Sequence, residues 1–335
     1  MITRRNVLTA LGLNALAIGA STRFAIAAPP PGKTLRVGLL YGIRKKFEPE
    51  TNADDRALVE GLRARGYVPG RNLVFEFRSA AGNLDRLPAI AAELVQLKVE
   101  LLITLCSSPT LAARGATSTI PIVMIDVADP VAAGLVASLA RPGGNVTGLS
   151  VNAAEIAAKR VQLLKDAVPK LARVAVLWNS SLKAMTLAFA QIEAAAPILG
   201  VTVQSVRVAS SADFDRVFAA LDKDRPQGLV VLFGPLRGDD LPRIVEYVTQ
   251  KKIPTIFELG RGVTGGGLME FGTDRAELAG HVGAYVDKIA NGAKPADLPV
   301  EEPTKFQFVI NLKAAKAMGL TIPASLLTRA DRVME

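Results

Sequence analysis

One cysteine, one histidine and one tryptophan stand in 335 residues, and aromatic side chains make up only 5% of the chain. Each scarcity excludes something. With Cys106 alone, no intrachain disulfide can form even in an oxidising compartment, so stability must come from packed apolar cores. Cys106 and His281 are together too few for a zinc cluster, an extended Cys-His constellation or a two-cysteine racemase. The G-x-S-x-G nucleophile elbow is absent, and Gly265-Gly266-Gly267 lacks the G-x-G-x-x-G order after a strand. No catalytic residue, metal or cofactor is therefore expected. Basic clusters are missing beyond Arg44-Lys45-Lys46, and no aromatics interleave with basic residues, which argues against a nucleic-acid groove.

The N-terminus carries a distinct signal. Thr3-Arg4-Arg5-Asn6-Val7-Leu8 runs into an uncharged, weakly apolar segment that ends Ala25-Ile26-Ala27. This is the pattern of a twin-arginine export leader over residues 1–27, with cleavage expected at Ala27/Ala28. The apolar run is shorter than the ~20 residues of a spanning helix and is interrupted by Gly12, Asn14 and Gly19. No cysteine lies nearby to take a lipid, so the expected product is a soluble periplasmic protein. Losing the leader removes Arg4, Arg5 and Arg23 and no acid, so the formal charge falls from +9 to +6. Roughly 300 residues remain, half of the full chain's composition is hydrophobic, and two domains are expected.

Apolar runs of strand length alternate with stretches of helical period. Strands are expected at Leu35 to Tyr41, Leu73 to Phe77, Leu101 to Leu105 and Ile122 to Ile125, with helices at 54–65, 85–98 and 109–117 between them. The pattern then restarts. Helices at 154–167, 183–199, 211–223 and 239–251 alternate with strands at Val174 to Trp178, Val201 to Val206, Leu229 to Phe233 and Pro254 to Phe257. Near-continuous apolar strands in βαβα order specify parallel sheets covered on both faces, an α/β fold. Breaks at 141–148, 260–267 and 292–303 suggest three crossings between two hinged units. The units are expected at 35–150 plus 267–292 and at 151–262 plus 300–330.

Ligands of open parallel sheets sit beyond the carboxyl ends of the strands. Tyr41, Trp178, Phe233 and Phe257 each end an expected strand, and they either line an apolar box or seal the ends of their own cores. Cys106-Ser107-Ser108-Pro109 opens a helix whose free N–H groups and hydroxyls suit a carboxylate, with Pro109 expected as the first helical residue. Ser108 is alternatively a plain cap, and Cys106 either touches ligand or fills core. Asn179 begins the matching polar loop of the second half. Asp126, Asp129 and Glu258 are placed to accept a ligand ammonium, while Asp129 before Pro130 also suits a helix cap. His281, among Gly280, Val282 and Gly283, reads as helix surface or packing rather than as a catalytic group.

Longer strings are more specific: Asp129-Pro130-Val131 with Gly134-Leu135-Val136, ARPGGNVTG at 140–148, GGGLMEFGTD at 265–274, the block from Ala284 to Pro323 and the tail LLTRADRVME. From about residue 35 onward the chain resembles the family of ABC-transporter substrate-binding proteins that includes tryptophan- and tyrosine-binding lipoproteins. The resemblance implies a type I periplasmic binding protein, with two Rossmann-like lobes, three crossover segments and one small-molecule ligand in the cleft. It implies contacts from Ser107, Ser108, Pro109, Asp126, Asp129 and Asn179, and a monomer that delivers solute to an ABC permease and ATPase, meeting the membrane only through the permease. The expected ligand is an amino acid or an aromatic or branched carboxylate. The chain departs from the lipoproteins in lacking a lipobox cysteine and in having Glu270-Phe271-Gly272 where Ser-Tyr-Gly is common. The alternatives are a hydrolase or isomerase on a doubly wound scaffold and the ligand-sensing domain of a receptor.

Overall fold

The apolar runs do form strands buried on both faces. The computed structural model describes residues 34–335 apart from 152, 181, 233–239 and 259–260. In chain order the elements are β1 (Leu35–Tyr41), α1 (Ala53–Arg63), β2 (Leu73–Ser79), α2 (Leu87–Gln96), β3 (Leu101–Leu105), α3 (Ser107–Ala116), β4 (Ile122–Ala128) and β5 (Val146–Val151). Then come α4 (Ala153–Ala167), β6 (Arg173–Asn179), α5 (Lys183–Leu199), β7 (Thr202–Val208), α6 (Phe214–Asp224), β8 (Gly228–Val231), α7 (Asp240–Gln250), β9 (Thr255–Phe257), α8 (Arg261–Thr264) and β10 (Met269–Thr273). The chain ends with α9 (Arg275–Ala290), β11 (Phe306–Asn311), α10 (Leu312–Met318), α11 (Ala324–Leu327) and β12 (Arg332–Met334).

Two sheets result. The first has the order β2-β1-β3-β4-β5 and is wholly parallel. The second has the order β12-β11-β10-β9-β8-β6-β7 and is parallel except where β10 meets β11. In each lobe the first strand lies between the second and the third, so the winding reverses between β1 and β3 and again between β6 and β8. Those reversals open crevices at the carboxyl ends of the strands, where open α/β sheets hold ligands.

Each sheet is covered on both faces. Val37 and Leu39 pack with Leu58 and Leu62 of α1 and Leu278 and Val282 of α9, while Leu40 faces Leu87 and Leu94 of α2 and Ala113 of α3. In the second lobe Val174 and Val176 meet Leu164 of α4 and Ile192 of α5, and Ala175 and Leu177 meet Phe214 of α6 and Ile244 of α7. Burial of this kind contributes about 1.5–3 kcal/mol per fully covered large side chain. Gly66, Gly200 and Gly319 take the left-handed conformation just past helices, as their positions predicted.

Two of the three crossings fall elsewhere than the Pro- and Gly-rich breaks suggested, and the third falls at the end of the expected 292–303 stretch. The stretch 141–148 turns within the first lobe and feeds β5, which stays in the first sheet to Val151. Residues 267–273 do not join the first lobe: β10 pairs with β9 on one side and β11 on the other, so only α9 returns. Its partner β11 lies more than thirty residues downstream, beyond what local pattern reveals. The third passage comes after Glu301, whose N–H still bonds Gly148 of the first lobe before the chain enters β11.

The return of α9 depends on glycines. A Cβ built on Gly61 of α1 would lie 2.2 Å from the carbonyl oxygen of Gly280, and one on Gly283 would lie 2.1 Å from that of Gly61. Backbones in such contact leave no room for a methyl group. On Gly280 itself the nearest atom would be Ala57 O at 3.9 Å. Gly61→Ala and Gly283→Ala should each destabilise by about 1–3 kcal/mol in urea unfolding. Gly280→Ala should be neutral or stabilising by up to ~1 kcal/mol, because helix propensity favours alanine.

Candidate functional site

Three of the strand ends in the first lobe, those of β1, β3 and β4, carry a charged constellation. Tyr41 at the end of β1 is buried, and its hydroxyl donates to Asp55 Oδ1 at 3.1 Å. Asp55 has no exposed surface, and it also accepts from the Glu48 N–H at 2.9 Å and from Arg44 Nη2 at 2.9 Å. The Arg44 guanidinium lies 4.7 Å from the centre of the Tyr41 ring, and Phe77 meets that ring edge to face at 5.4 Å. Burial raises the Tyr41 phenol well above its ordinary value, so it serves as a neutral donor. Arg44 Nη1 is buried and finds no acceptor among the described residues.

Between β1 and β3, at the reversal of winding, α3 begins. Cys106 is its N-cap, with φ of 72°, and makes no side-chain cap bond. The helix starts at Ser107, so Pro109 is its third residue rather than its first; the earlier start leaves Ser107 and Ser108 half-buried on the first turn. The Cys106 thiol donates to Asp126 Oδ2 at 3.7 Å, and burial pushes it up to about 12. A thiol held neutral in this way is a weak nucleophile at physiological pH.

Asp126 reaches this point through a β-bulge. Met124 pairs with Gly148 and Val127 with Ser150, so two residues of β4 oppose one of β5. Gly148 is required there, since a Cβ would stand 2.3 Å from Met124 O. Asp126 takes φ of 58°, and its carboxylate binds the guanidinium of Arg275, the first residue of α9. Burial works against charge on both groups and pushes the Asp126 carboxyl up, while for Arg275 it is outweighed by Asp126 together with the other acidic groups nearby, so that cation is held firmly. The pair is ionic. Asp129 also has positive φ, 45°, but is exposed, and its Oδ1 accepts from the Ala132 N–H at 2.9 Å, the capping alternative. Positive φ at Cys106, Asp126 and Asp129, none of them glycine, marks the strand ends as a place where local strain is tolerated for the sake of side-chain placement.

The second lobe departs from expectation at its aromatics. Trp178 stacks on Phe189 at 4.9 Å, lies under Arg207 and donates its Nε1–H to Ser205 at 3.0 Å. Phe257 is wedged between Gly262 and Gly267, where added Cβ atoms would fall 2.2 and 2.3 Å from its ring. With Tyr41 held by Asp55, Arg44 and Phe77, each of these three rings is occupied by partners of its own lobe and forms no apolar box. Phe233 lies outside the described residues. Asn179, at the second reversal of winding, is buried at the end of β6.

Glu258 follows β9 with its side chain 15% exposed, and its Oε1 lies 3.7 Å from Nη2 of Arg160. Arg160, on α4, has no exposed surface and donates Nε–H to Phe271 O at 2.7 Å. Glu270, on β10, is buried near it. The sequence reading missed Arg44, Arg160, Glu270 and Arg275. One signal was present for Arg160: Ile156, Ala157, Val161 and Leu164 are all buried, so position 160 falls on the apolar stripe of its helix. His281 stands half-exposed on α9, with Nδ1 3.7 Å from Glu301 Oε2. A groove of about 550 Å³ along α4, lined by Ile198, Phe271 and Phe306 among others, lies away from the winding reversals and is set aside as the site. Among the described residues no His, Cys, Asp and Glu group could hold a metal, and no helix is long and apolar enough to cross a membrane.

Two parallel lobes, three crossings and charged strand ends at the reversals of winding define a type I periplasmic binding protein. The family model described as ABC transporter substrate binding protein matches residues 49–334, and the chain belongs to that family. It is 27% identical over 284 residues to a tyrosine-binding protein of Clostridioides difficile (strain R20291), covering 83% of this chain and 80% of that one. It is similar to an ABC domain in complex with L-Trp from Streptococcus pneumonia, at 26% identity, TM-score 0.82 and coverage of 90% and 100% of the two chains. A ligand-free, open substrate-binding protein with adhesive properties from Clostridium difficile gives 25% identity, TM-score 0.67 and coverage of 90% and 99%.

Glu270 generates a prediction. Burial pushes its carboxyl from 4.5 up to about 7, against Arg332, Arg275 and Arg160, which lower it. The folded state therefore holds this proton more tightly than the unfolded chain. Its contribution is fully present below pH 4.5 and is lost as pH rises through 7, on the order of 3 kcal/mol in all. Urea unfolding of the Glu270→Gln variant between pH 4.5 and 8 should show that loss reduced by about 2 kcal/mol or more relative to wild type. Parallel pH profiles for the two proteins would contradict this account of Glu270.

Proposed function

We propose that this protein captures a small zwitterionic solute, an amino acid or a related aromatic or branched carboxylate, between its two lobes. It delivers the solute to the permease and ATPase of an ABC importer. The observation that carries the reading is the polar chemistry at the strand ends: the uncapped N-terminus of α3 with Ser107 and Ser108, at the first reversal of winding, suits a carboxylate, and the acid at the end of β9 suits an ammonium. The relatives named for tyrosine and solved with L-Trp support the ligand class. The higher TM-score with the L-Trp complex than with the open, ligand-free protein, at equal coverage of this chain, supports a closed arrangement of the lobes. Lobe closure captures ligand by differential affinity for the closed state, and the closed pair is the form that a permease distinguishes.

In this reading the Arg4-Arg5 leader directs export, and the mature protein works in the periplasm as a monomer, touching the membrane only through its permease. Catalysis is not part of the reading. A panel of L-amino acids and aromatic carboxylates tested by thermal denaturation should contain at least one compound that stabilises the protein, by about 2.7 kcal/mol at a hundredfold excess over Kd. A flat response across the whole panel would remove the ligand class.

A further inference from the structure

We propose that the groove along α4 is a second small-molecule site, separate from the cleft, and that it takes an aromatic monocarboxylate. The ring of such a ligand lies on Phe271 and Phe306, and its carboxylate meets Lys159. The inference goes beyond solute capture in the cleft and does not depend on it.

The groove holds about 550 Å³, within the roughly 300–1,000 Å³ of sites that enclose one small organic molecule. Its floor follows from the pleat of β11. Phe306 and Phe308 are two residues apart and share a face of the sheet, the face that packs against α4, and Phe271 of β10 pairs in register with Phe308. Phe308 is buried in the second-lobe core. Phe306 is only half-buried, stacked on Phe271 with ring centres 5.8 Å apart, and both rings line the groove.

The rim is apolar as well. Ile198 lines the groove and is 88% exposed, far more than any other large aliphatic side chain among the described residues. A scattered exposed isoleucine would call for no explanation, but this one borders two half-buried rings. Its helix end is fixed by Pro197 inside the last turn and by Lys165, whose ammonium donates to the Leu199 carbonyl.

Charge decides the class of occupant. Lys159 is half-buried on α4, and its ammonium donates to the neutral Gln162 Oε1 at 3.0 Å, with no carboxylate in ion-pair range among the described residues. An ammonium has three donors, so this one keeps capacity for an anion. Glu302 lines the groove too, beside Pro303 in the third passage between the lobes. It is exposed, so water screens it more than Lys159. Its charge disfavours a second anionic group, which makes the preferred occupant a monoanion.

Isothermal titration with 3-phenylpropionate, 3-phenylpropanol and 3-phenylpropylamine tests the assignment on wild type, K159Q, K159R and F306A. Any amino acid found to stabilise the protein is first added to saturation, so that the cleft is filled. Wild type should bind the carboxylate about fivefold or more tighter than the alcohol, and the amine weakest. K159Q should abolish the preference for the carboxylate while leaving the alcohol within about twofold, and K159R should restore it. F306A should weaken carboxylate and alcohol alike, by about tenfold. Lys159 is on the surface of its helix, so K159Q keeps the test open if F306A fails to fold. Wild type that binds none of the three probes overturns the proposal, as does an amine bound as tightly as the carboxylate. Binding of the carboxylate that is the same in wild type and K159Q also overturns it. Each of these results leaves capture in the cleft standing on its own test with amino acids, and a flat amino-acid panel leaves the groove to be judged on these titrations.

Discussion

The contact between α1 and α9 is the constraint on which the arrangement of this molecule depends. The chain has already left the first lobe at Val151 and built most of the second sheet when α9 comes back, and nothing in local sequence compels that return. Gly61 and Gly283 allow the two helix backbones to meet at distances that no side chain permits. Leu278, Val282, Tyr285 and Val286 then complete the core begun by β1 and α1. Because α9 starts immediately after β10, the same docking draws the end of the second sheet beside the first and puts Arg275 next to Asp126.

That ion pair has a second consequence. Asp126 sits on a bulge in a sparsely populated backbone conformation and beside a buried thiol, an arrangement stable only with a cation against it. Arg275 supplies the cation from the first turn after a crossing. The crossing is thereby pinned to the first lobe at its distal end, and rotation of one lobe against the other must be absorbed before Arg275, near Asp274, and in the other two passages. Asp274 is itself fixed as the N-cap of α9, accepting from the Glu277 N–H at 3.1 Å.

Much of the fold was legible because burial on both faces writes long apolar strands, and βα alternation limits how such strands can be ordered. The placement of β10 was not legible, because its antiparallel partner β11 lies far downstream and only the completed sheet shows which edge was open. At the site, position along a strand was readable but direction was not. Tyr41, Trp178 and Phe257 do end strands, yet successive side chains alternate faces, and each ring turned toward partners such as Phe77, Phe189 or the glycines at 262 and 267. Asp126 was recognisable as a strand-end acid, while its bulge followed from the pairing of β4 with Gly148. Arg160 was hidden by its own helix: one charge on an otherwise apolar stripe reads as surface until the buried neighbours are seen together.

The two lobes handle buried charge in opposite ways, and this asymmetry bears on how a cleft can close. In the first lobe Asp126 and Arg275 neutralise one another directly, leaving the free N–H groups of α3 as the unspent polar resource. In the second, the wholly buried Arg160 guanidinium lies 3.7 Å from the partly exposed Glu258 carboxylate, while burial pushes the nearby Glu270 carboxyl up toward its neutral form. One lobe therefore presents partial positive charge to the cleft and the other presents negative charge. Opposed faces of this kind attract weakly across water, because solvent screens them, and strongly once a ligand of matching polarity displaces that water. Under the proposed function, a zwitterion spanning the gap would engage both faces at once.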